Sequence, residues 1–209
     1  MPHDHHSSSG HPFQPDRDTS LSYWQVMEIA IRELLIEKGV TTPQAIAAQI
    51  EAMDARSPAN GAAVVARYWT DPDFAAALRE DASRATAAMG FDIGPMRLIA
   101  LPNDAATHNV IVCTLCSCYP RNLLGLPPDW YKSRAYRSRT VREPRKVLAE
   151  FGLTLPDEVT VRVHDSTADM RYIVIPQRPA GTDGWDAERL TALVTRDSMI
   201  GTGLPHSPA

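Results

Sequence analysis

The sequence has few cysteines and no long apolar run. Among 209 residues there are three cysteines, and all of them fall between Cys113 and Cys118. Disulfide frameworks join distant segments, so this distribution argues against one and favours a metal site or redox chemistry. No apolar stretch approaches the roughly 18 residues of a membrane-spanning helix. The sequence therefore predicts a globular protein that is not embedded in a membrane.

The chain also lacks an excess of positive charge and a secretory signal. Its formal net charge is −4, so we expect no general attraction to nucleic acid or to anionic lipid. The first ten residues contain no basic segment followed by an apolar one, as a secretory signal would. We therefore expect a cytoplasmic protein that does not bind nucleic acid or membranes.

Composition divides the chain into three predicted regions. Residues 1–19 are rich in His, Ser, Pro and Asp and lack apolar periodicity, which predicts a flexible tail. Residues 20–90 are predicted to form a helical arm, and residues 91–209 an α+β metal-binding catalytic domain. The predicted fold is therefore α+β, with an N-terminal helical arm before a layered α/β domain that carries the metal loop.

Apolar spacing and capping residues predict four helices in the arm. Gly39 ends the first, and Thr42-Pro43 supplies the N-cap and first-turn proline of the second. A Ser-Pro-Ala-Asn-Gly cluster at 57–61 predicts a break before the third. The helices are expected over 21–38, 42–53, 62–69 and 71–90. Their apolar faces must pack on the chain's own domain or on a partner subunit, and we expect obligate association.

After Gly90 the pattern changes to short β-rich runs separated by turns and helices. Strands are predicted over 97–101, 109–112, 159–164 and 171–175. Helices are predicted over 143–151 and 186–195, the second with Leu190 and Leu193 facing inward.

The cysteine cluster is predicted to form a tight loop. A predicted strand runs directly into Cys113, and Pro120 prevents the segment from continuing as a strand. The spacing Cys-x-x-Cys-x-Cys can turn three thiolates towards one ion, with two peptide nitrogens inside the ring of sulfurs. Structural zinc needs a fourth side-chain ligand, and iron–sulfur clusters need a fourth thiolate or its equivalent. The set instead suits trivalent cobalt or iron, although a zinc half-site or a redox pair is the alternative on these residues alone.

The segment Cys-Thr-Leu-Cys-Ser-Cys-Tyr-Pro, from Cys113 to Pro120, resembles the metal-binding motif of nitrile hydratase α subunits. Its Thr and Tyr are those of the cobalt type. The similarity covers about residues 20–204, including segments at 124–133, 136–139, 141–145, 171–174, 178–185 and 194–201.

The resemblance implies a non-corrin Co(III) site, with iron as the alternative metal. It places Cys113 as the axial thiolate, and Cys116, Cys118 and the amide nitrogens of Ser117 and Cys118 around the metal. It also implies that Cys116 is oxidised to a sulfinic acid and Cys118 to a sulfenic acid, whose oxygen serves as nucleophile or base. Cys116, Ser117 and Cys118 are then the catalytic residues.

The implied reaction is hydration of a nitrile to the corresponding amide. The implied partners are a β subunit of one or two chains, whose arginines hydrogen-bond the oxidised sulfurs, and a cobalt-delivery activator protein.

Arg121 departs from the family pattern, which usually has Trp at this position, whereas the related thiocyanate hydrolases have Arg. A guanidinium suits a polar or anionic substrate, so Arg121 is the predicted substrate-binding residue, with an inter-subunit salt bridge as its alternative role. Two alternative functions follow: a thiocyanate hydrolase-type subunit, or a nitrile hydratase specialised for polar or heteroaromatic nitriles, like the toyocamycin enzymes.

Three further features carry other hypotheses. A non-enzymatic cobalt carrier is supported only by the histidines of the tail, which are His3, His5, His6 and His11. The seven basic residues between Lys132 and Lys146 are predicted to form interface salt bridges rather than a nucleic-acid patch. His164 and Asp165 are adjacent on a strand and point to opposite faces. We therefore assign His164 no catalytic role and Asp165 a structural or interfacial hydrogen bond.

Overall fold

A computed structural model describes residues 20–208 of the chain. The predicted tail and its histidines lie outside these residues. The described part contains four strands: β1 (Arg97–Pro102), β2 (Thr107–Val112), β3 (Thr160–Asp165) and β4 (Met170–Ile175). Its helices are α1 (Tyr23–Glu37), α2 (Pro43–Asp54), α3 (Pro58–Thr70), α4 (Pro72–Glu80), α5 (Ala82–Ala87), α6 (Arg121–Leu124), α7 (Asp129–Lys132), α8 (Arg134–Thr140), α9 (Pro144–Glu150), α10 (Ala187–Thr191) and α11 (Arg196–Ile200). No helix in this part is both long and apolar enough to cross a membrane.

The chain divides into two units, one ending at Ala48 and one beginning at Gln49. In the first unit, α1 starts with a capping box, in which Ser22 and Gln25 bond each other's backbone N–H. Neither α1 nor α2 buries a single residue. Trp24 is 76% exposed, and the other large apolar side chains left open include Tyr23, Val26, Ile31, Leu34, Leu35 and Val40.

The second unit is built on two pairs of parallel strands. β1 pairs with β4, from Arg97 opposite Met170 to Pro102 opposite Ile175. β2 pairs with β3, from Thr107 opposite Thr160 to Val112 opposite Asp165. Parallel strands end at the same edge of a sheet, so the residues after Val112 emerge beside Asp165. The four predicted strands are confirmed, each to within two residues at either end.

In the core of the second unit, the strands pack against helices that precede them in sequence and helices that follow them. Val64, Val65 and Leu78 pack into the same buried cluster as Ile111 and Ile173. The sequence analysis assigned α3, α4 and α5 to the arm, but they lie in the larger unit and pack against the strands. Their short apolar faces bury more surface there than they could bury against one another. The result is a mixed α+β fold, as predicted.

Several helix boundaries differ from the predicted ones. The predicted break between the second and third helices is confirmed, since α2 ends at Asp54. The third helix starts earlier than predicted, at Pro58, because the Ser57 hydroxyl accepts a bond from the Ala59 N–H. The predicted helix over 71–90 is two helices, divided at Asp81, whose carboxylate caps α5 by accepting from the Arg84 N–H. The helix predicted over 186–195 ends at Thr191, with Leu190 and Leu193 buried as expected. The helices α6, α7, α8 and α11 were not predicted.

A polar network fixes β2 beneath the metal loop. His108 donates through Nε2 to the Gly201 carbonyl at 2.8 Å and accepts from Asn103 at 3.2 Å. Burial lowers the pKa of His108, against the raising effect of its bond to Gly201, so the ring is neutral near pH 7. His164 donates to the Asn109 side chain at 2.8 Å and therefore has a structural partner, consistent with its lack of a catalytic assignment.

Gly201, at the end of α11, lies directly against β2. Its φ is +90°, and a Cβ built there would lie 2.0 Å from the Asn109 carbonyl oxygen and 2.9 Å from the Val110 Cα. We expect Gly201→Ala to destabilise the chain by several kcal/mol, because it adds a clash with backbone to the cost of a left-handed conformation. Thermal unfolding measures the loss.

Gly152→Ala is the matched control, since Gly152 has a φ of +81° and no atom within 4 Å of its Cβ position. Gly152→Ala should lower the free energy of unfolding by about 1 kcal/mol, the cost of the left-handed conformation alone. Equal losses for the two variants would contradict the close approach.

Candidate metal centre

The edge of the β2–β3 pair positions the cysteine loop. Thr114 donates its N–H to Asp165 Oδ1 at 2.9 Å and its hydroxyl to Asp165 Oδ2 at 2.6 Å. Both carboxylate oxygens at the end of β3 thus hold the residue that follows Cys113. The structural hydrogen bond predicted for Asp165 is confirmed.

The loop brings the three cysteine sulfurs together. The Sγ atoms of Cys113 and Cys116 are 3.7 Å apart, those of Cys116 and Cys118 are 3.0 Å apart, and all three lie within 4.8 Å of one another. Cys113 is buried, Cys118 is half-buried and Cys116 is exposed. The cluster therefore has a closed inner side and an open outer side, where a small molecule can reach it.

Ser117 makes the turn between the last two cysteines. Its φ is +74°, and no other residue except glycine has a positive φ in the described part of the chain. A side chain in this region costs about 1–2 kcal/mol, which the surrounding contacts must offset. In sequence, the amide nitrogens of Ser117 and Cys118 follow the Cys116 side chain and precede the Cys118 side chain. A ligand set of sulfurs and amides needs such neighbouring groups.

Side chains from α7 and α8 hold the loop from behind. The Tyr131 hydroxyl donates to the Cys118 carbonyl at 2.8 Å. Arg137 donates to the carbonyls of Cys113 at 3.1 Å and of Thr114 and Leu115 at 2.9 Å each. Tyr131 is also packed edge-on against Tyr119, with ring centroids 5.1 Å apart. The sequence analysis missed both roles, although both residues lie in segments that carry the family resemblance.

The thiols differ in acidity. Burial raises the pKa of Cys113, but hydrogen bonds from the peptide groups of Cys116, Cys118 and Leu115 outweigh it and lower the pKa to about 7. Burial raises the pKa of Cys118 to about 12, helped by the neighbouring thiols and opposed by the charge of Arg171. Cys113 is thus the more acidic of these two thiols, and a bound cation would lower the pKa of both.

The donor set matches a metal that accepts sulfur and backbone ligands. Among residues 20–208, no His, Asp, Glu or further Cys joins the three cysteines in a metal-binding group, and Asp165 is already engaged by Thr114. Tetrahedral structural zinc would need a fourth side chain here. Three sulfurs with adjacent amide nitrogens suit a low-spin trivalent ion and leave one position free.

Arg121 lies three residues after Cys118 in the sequence. It is exposed at the start of α6 and lines a cleft of about 240 Å³ with Met53, Asp54, Arg56, Gly125 and Leu126. None of the three cysteines lines this cleft. The structure thus brings the predicted metal ligands together, and the substrate-binding role of Arg121 stays a prediction.

Several of the basic residues between Lys132 and Lys146 have partners within the chain, and the interface salt bridges predicted for this run stay a prediction. Arg139 forms ion pairs with Glu143 at 2.6 Å and with Glu150 at 2.5 Å. Arg145 binds carbonyls of the segment 155–159, where four oxygens converge on one guanidinium. Glu143 lies one helical turn from Arg139, whereas Glu150 and the segment 155–159 are 10 to 14 residues further along the chain from the cations that they bind.

Comparison with known proteins finds a matching family model, similar relatives and a similar solved structure. A family model described as "Nitrile hydratase, alpha chain" matches residues 22–203. The high-molecular weight cobalt-containing nitrile hydratase subunit alpha of Rhodococcus rhodochrous is 53% identical over 182 residues, covering 86% of this chain and 90% of the relative. The thiocyanate hydrolase subunit gamma of Thiobacillus thioparus is 43% identical over 197 residues, covering 88% and 81%. A solved structure of recombinant thiocyanate hydrolase with partially modified cobalt centres superposes with a TM-score of 0.83 at 42% identity, covering 89% and 91%.

Proposed function

The chain belongs to the nitrile hydratase α-chain family, and we propose that it hydrates a nitrile to the corresponding amide at a cobalt site in the loop Cys113–Cys118. The observation that carries the proposal is the convergence of three cysteine sulfurs within 4.8 Å in a loop that offers no fourth side-chain ligand. The cobalt assignment is supported by the cobalt-containing relatives that match most of the chain.

We assign the ligands to the chain as follows. Cys113, the buried cysteine of the three, would supply one thiolate to the metal. Cys116, Cys118 and the amide nitrogens of Ser117 and Cys118 would supply the other ligands. The turn at Ser117 supports this assignment, since it accompanies an approach of the Cys116 and Cys118 sulfurs to 3.0 Å.

The reaction adds one water across a carbon–nitrogen triple bond. Bound cobalt supplies a Lewis acid that makes the nitrile carbon electrophilic. Oxygenation of Cys116 to a sulfinic acid and of Cys118 to a sulfenic acid, with dioxygen as the oxidant, would supply oxygen atoms beside the open outer side of the loop. The nucleophile that we assign is the Cys118 sulfenate oxygen or a water that it deprotonates. If the sulfenate oxygen attacks the nitrile carbon, water then attacks the Cys118 sulfur, which breaks the sulfur–oxygen bond and restores the sulfenate; if water attacks directly, its own oxygen enters the product. Either route gives an imidate, and transfer of a proton from oxygen to nitrogen gives the amide.

A partner subunit completes the enzyme in this proposal. The relatives are named as subunits, and the exposed apolar residues of α1 supply a face that a β subunit would cover. We propose that β-subunit arginines bond the oxygenated sulfurs and that an activator protein delivers the cobalt. The cytoplasmic location remains our prediction from sequence.

Thiocyanate hydrolysis is the second candidate function, and Arg121 is the observation that favours it. A permanently charged guanidinium beside Arg56 in one cleft suits an anion such as thiocyanate, or a polar nitrile with acceptor atoms. The 43% identity to a thiocyanate hydrolase subunit is compatible with either substrate class.

The function is tested with the chain produced together with its β subunit in cobalt-containing medium. We expect about one cobalt per α chain and conversion of nitriles to amides, as seen by elemental analysis and product chromatography. Turnover of thiocyanate without nitrile hydration would favour the second candidate. Stoichiometric zinc that a mild chelator removes would refute the cobalt site.

Oxidation is expected on two of the three cysteines. Peptide mass spectrometry with sulfenic acid trapping should find two added oxygens on Cys116, one on Cys118 and none on Cys113, whose buried sulfur is shielded from oxidant. Three unmodified thiols in active enzyme would contradict the proposed nucleophile. Cobalt without oxidation and without turnover would instead fit a carrier protein.

Substitution of Arg121 by Trp is expected to change specificity. If the guanidinium binds substrate, Arg121→Trp should lower kcat/KM for polar nitriles about tenfold, or about 1.4 kcal/mol, and spare small aliphatic nitriles. Steady-state kinetics on both classes, with size-exclusion chromatography of the complex, provides the measurement. A parallel fall for both classes together with weaker subunit association would place Arg121 in an interface instead.

A further inference from the structure

Arg137 occupies a position behind the metal loop that neither the ligand assignment nor the reaction explains. Its side chain reaches back from α8 to a backbone 22 to 24 residues earlier and donates three hydrogen bonds to three consecutive carbonyls, those of Cys113, Thr114 and Leu115. One guanidinium thus binds every backbone carbonyl from Cys113 to Leu115.

From this geometry we propose that Arg137 is a positioning residue that shapes the loop for metal before the metal arrives, an inference that rests on the proposed function. Carbonyl oxygens carry partial negative charge and repel one another when three of them point to one place. A shared cationic donor removes that repulsion. With the carbonyls held on the α8 side, the Cys116 N–H turns to the other side and donates to the Cys113 sulfur at 3.3 Å.

The other loop anchors cannot replace this contact. Asp165 holds only Thr114, through its N–H and hydroxyl, and Tyr131 holds only the Cys118 carbonyl. Between these two points, the carbonyls of Cys113, Thr114 and Leu115 depend on Arg137. Loss of the guanidinium therefore frees the segment that joins the first two sulfurs, while both ends of the loop remain attached.

Charge gives Arg137 a second effect on the same site. The proposed ligand set of three thiolates and two deprotonated amides carries five negative charges, and a trivalent ion leaves two of them uncompensated. The Arg137 guanidinium lies within hydrogen-bond distance of this backbone and brings a positive charge to it. It therefore offsets part of the negative charge that the loop would carry with the metal bound.

Lysine is a discriminating replacement. Its ammonium keeps the charge but is a single point, so it cannot span three carbonyls as the planar guanidinium does. Arg134 provides the matched control, because it is exposed on the same helix, lines the same open cleft with Thr114 and Arg137, and forms no ion pair in the described residues. Arg134→Ala removes an equal charge without touching the carbonyls.

The test uses the complex of the full chain with its partner subunit, as wild type and with Arg137→Ala, Arg137→Lys or Arg134→Ala. Hydrogen exchange is measured on complexes produced without cobalt, and cobalt per chain on complexes produced with it. For Arg137→Ala we expect at least tenfold faster exchange in residues 114–118, unchanged exchange in 107–112, and at least fivefold less cobalt. Arg137→Lys should fall between Arg137→Ala and wild type, and Arg134→Ala should stay within twofold of wild type.

Loop exchange and cobalt content within twofold of wild type in Arg137→Ala would overturn the proposal, as would an equal loss in Arg134→Ala. If Arg137→Ala fails to fold, the lysine variant decides, and wild-type values for it would refute the need for a planar donor. A wild-type complex that takes up no cobalt would instead refute the proposed function, while the exchange data would still decide whether Arg137 orders the loop.

Discussion

The parallel pairing of β2 with β3 is the constraint on which the metal loop depends. In this register Val112 lies opposite Asp165, so the chain leaves β2 at the point where a carboxylate can take both donors of Thr114. A shift of one residue would turn Asp165 to the other face of the strand pair and release the loop. The buried contact between Gly201 and β2, and the His108 bond beneath it, stabilise the same strand from the carboxyl-terminal side.

Much of this arrangement can be predicted from local sequence. The strands carry β-branched runs, and the three cysteines lie so close in sequence that their convergence needs no distant partner. The packing of α3 to α5 could not be predicted in this way, because their apolar spacing is equally compatible with an arm and with a core. Gly61 shows the difficulty: its sequence context is typical of a break, yet its missing side chain lets α3 approach Leu124 and Met199.

The role of Arg137 in supporting the loop could not be predicted from the sequence either. Arg137 lies within a run of basic residues, and sequence alone does not distinguish the cation that binds carbonyls from its neighbours that pair with Glu143 or Glu150. Arg121 presents the opposite case, since the resemblance singles it out but its open cleft contains no cysteine. The three cysteines are close together in the motif, so their convergence can be predicted from it, whereas supporting residues depend on tertiary placement.

The uncovered apolar side of α1 has a consequence for how the protein is maintained in a cell. Side chains such as Trp24 and Leu34, open to water in the single chain, are of the kind that chaperones and proteases recognise. A chain that fails to meet its partner would be removed faster than one that succeeds. Balance between the two kinds of subunit would then be set by selective degradation of whichever is in surplus, with no need for equal rates of synthesis.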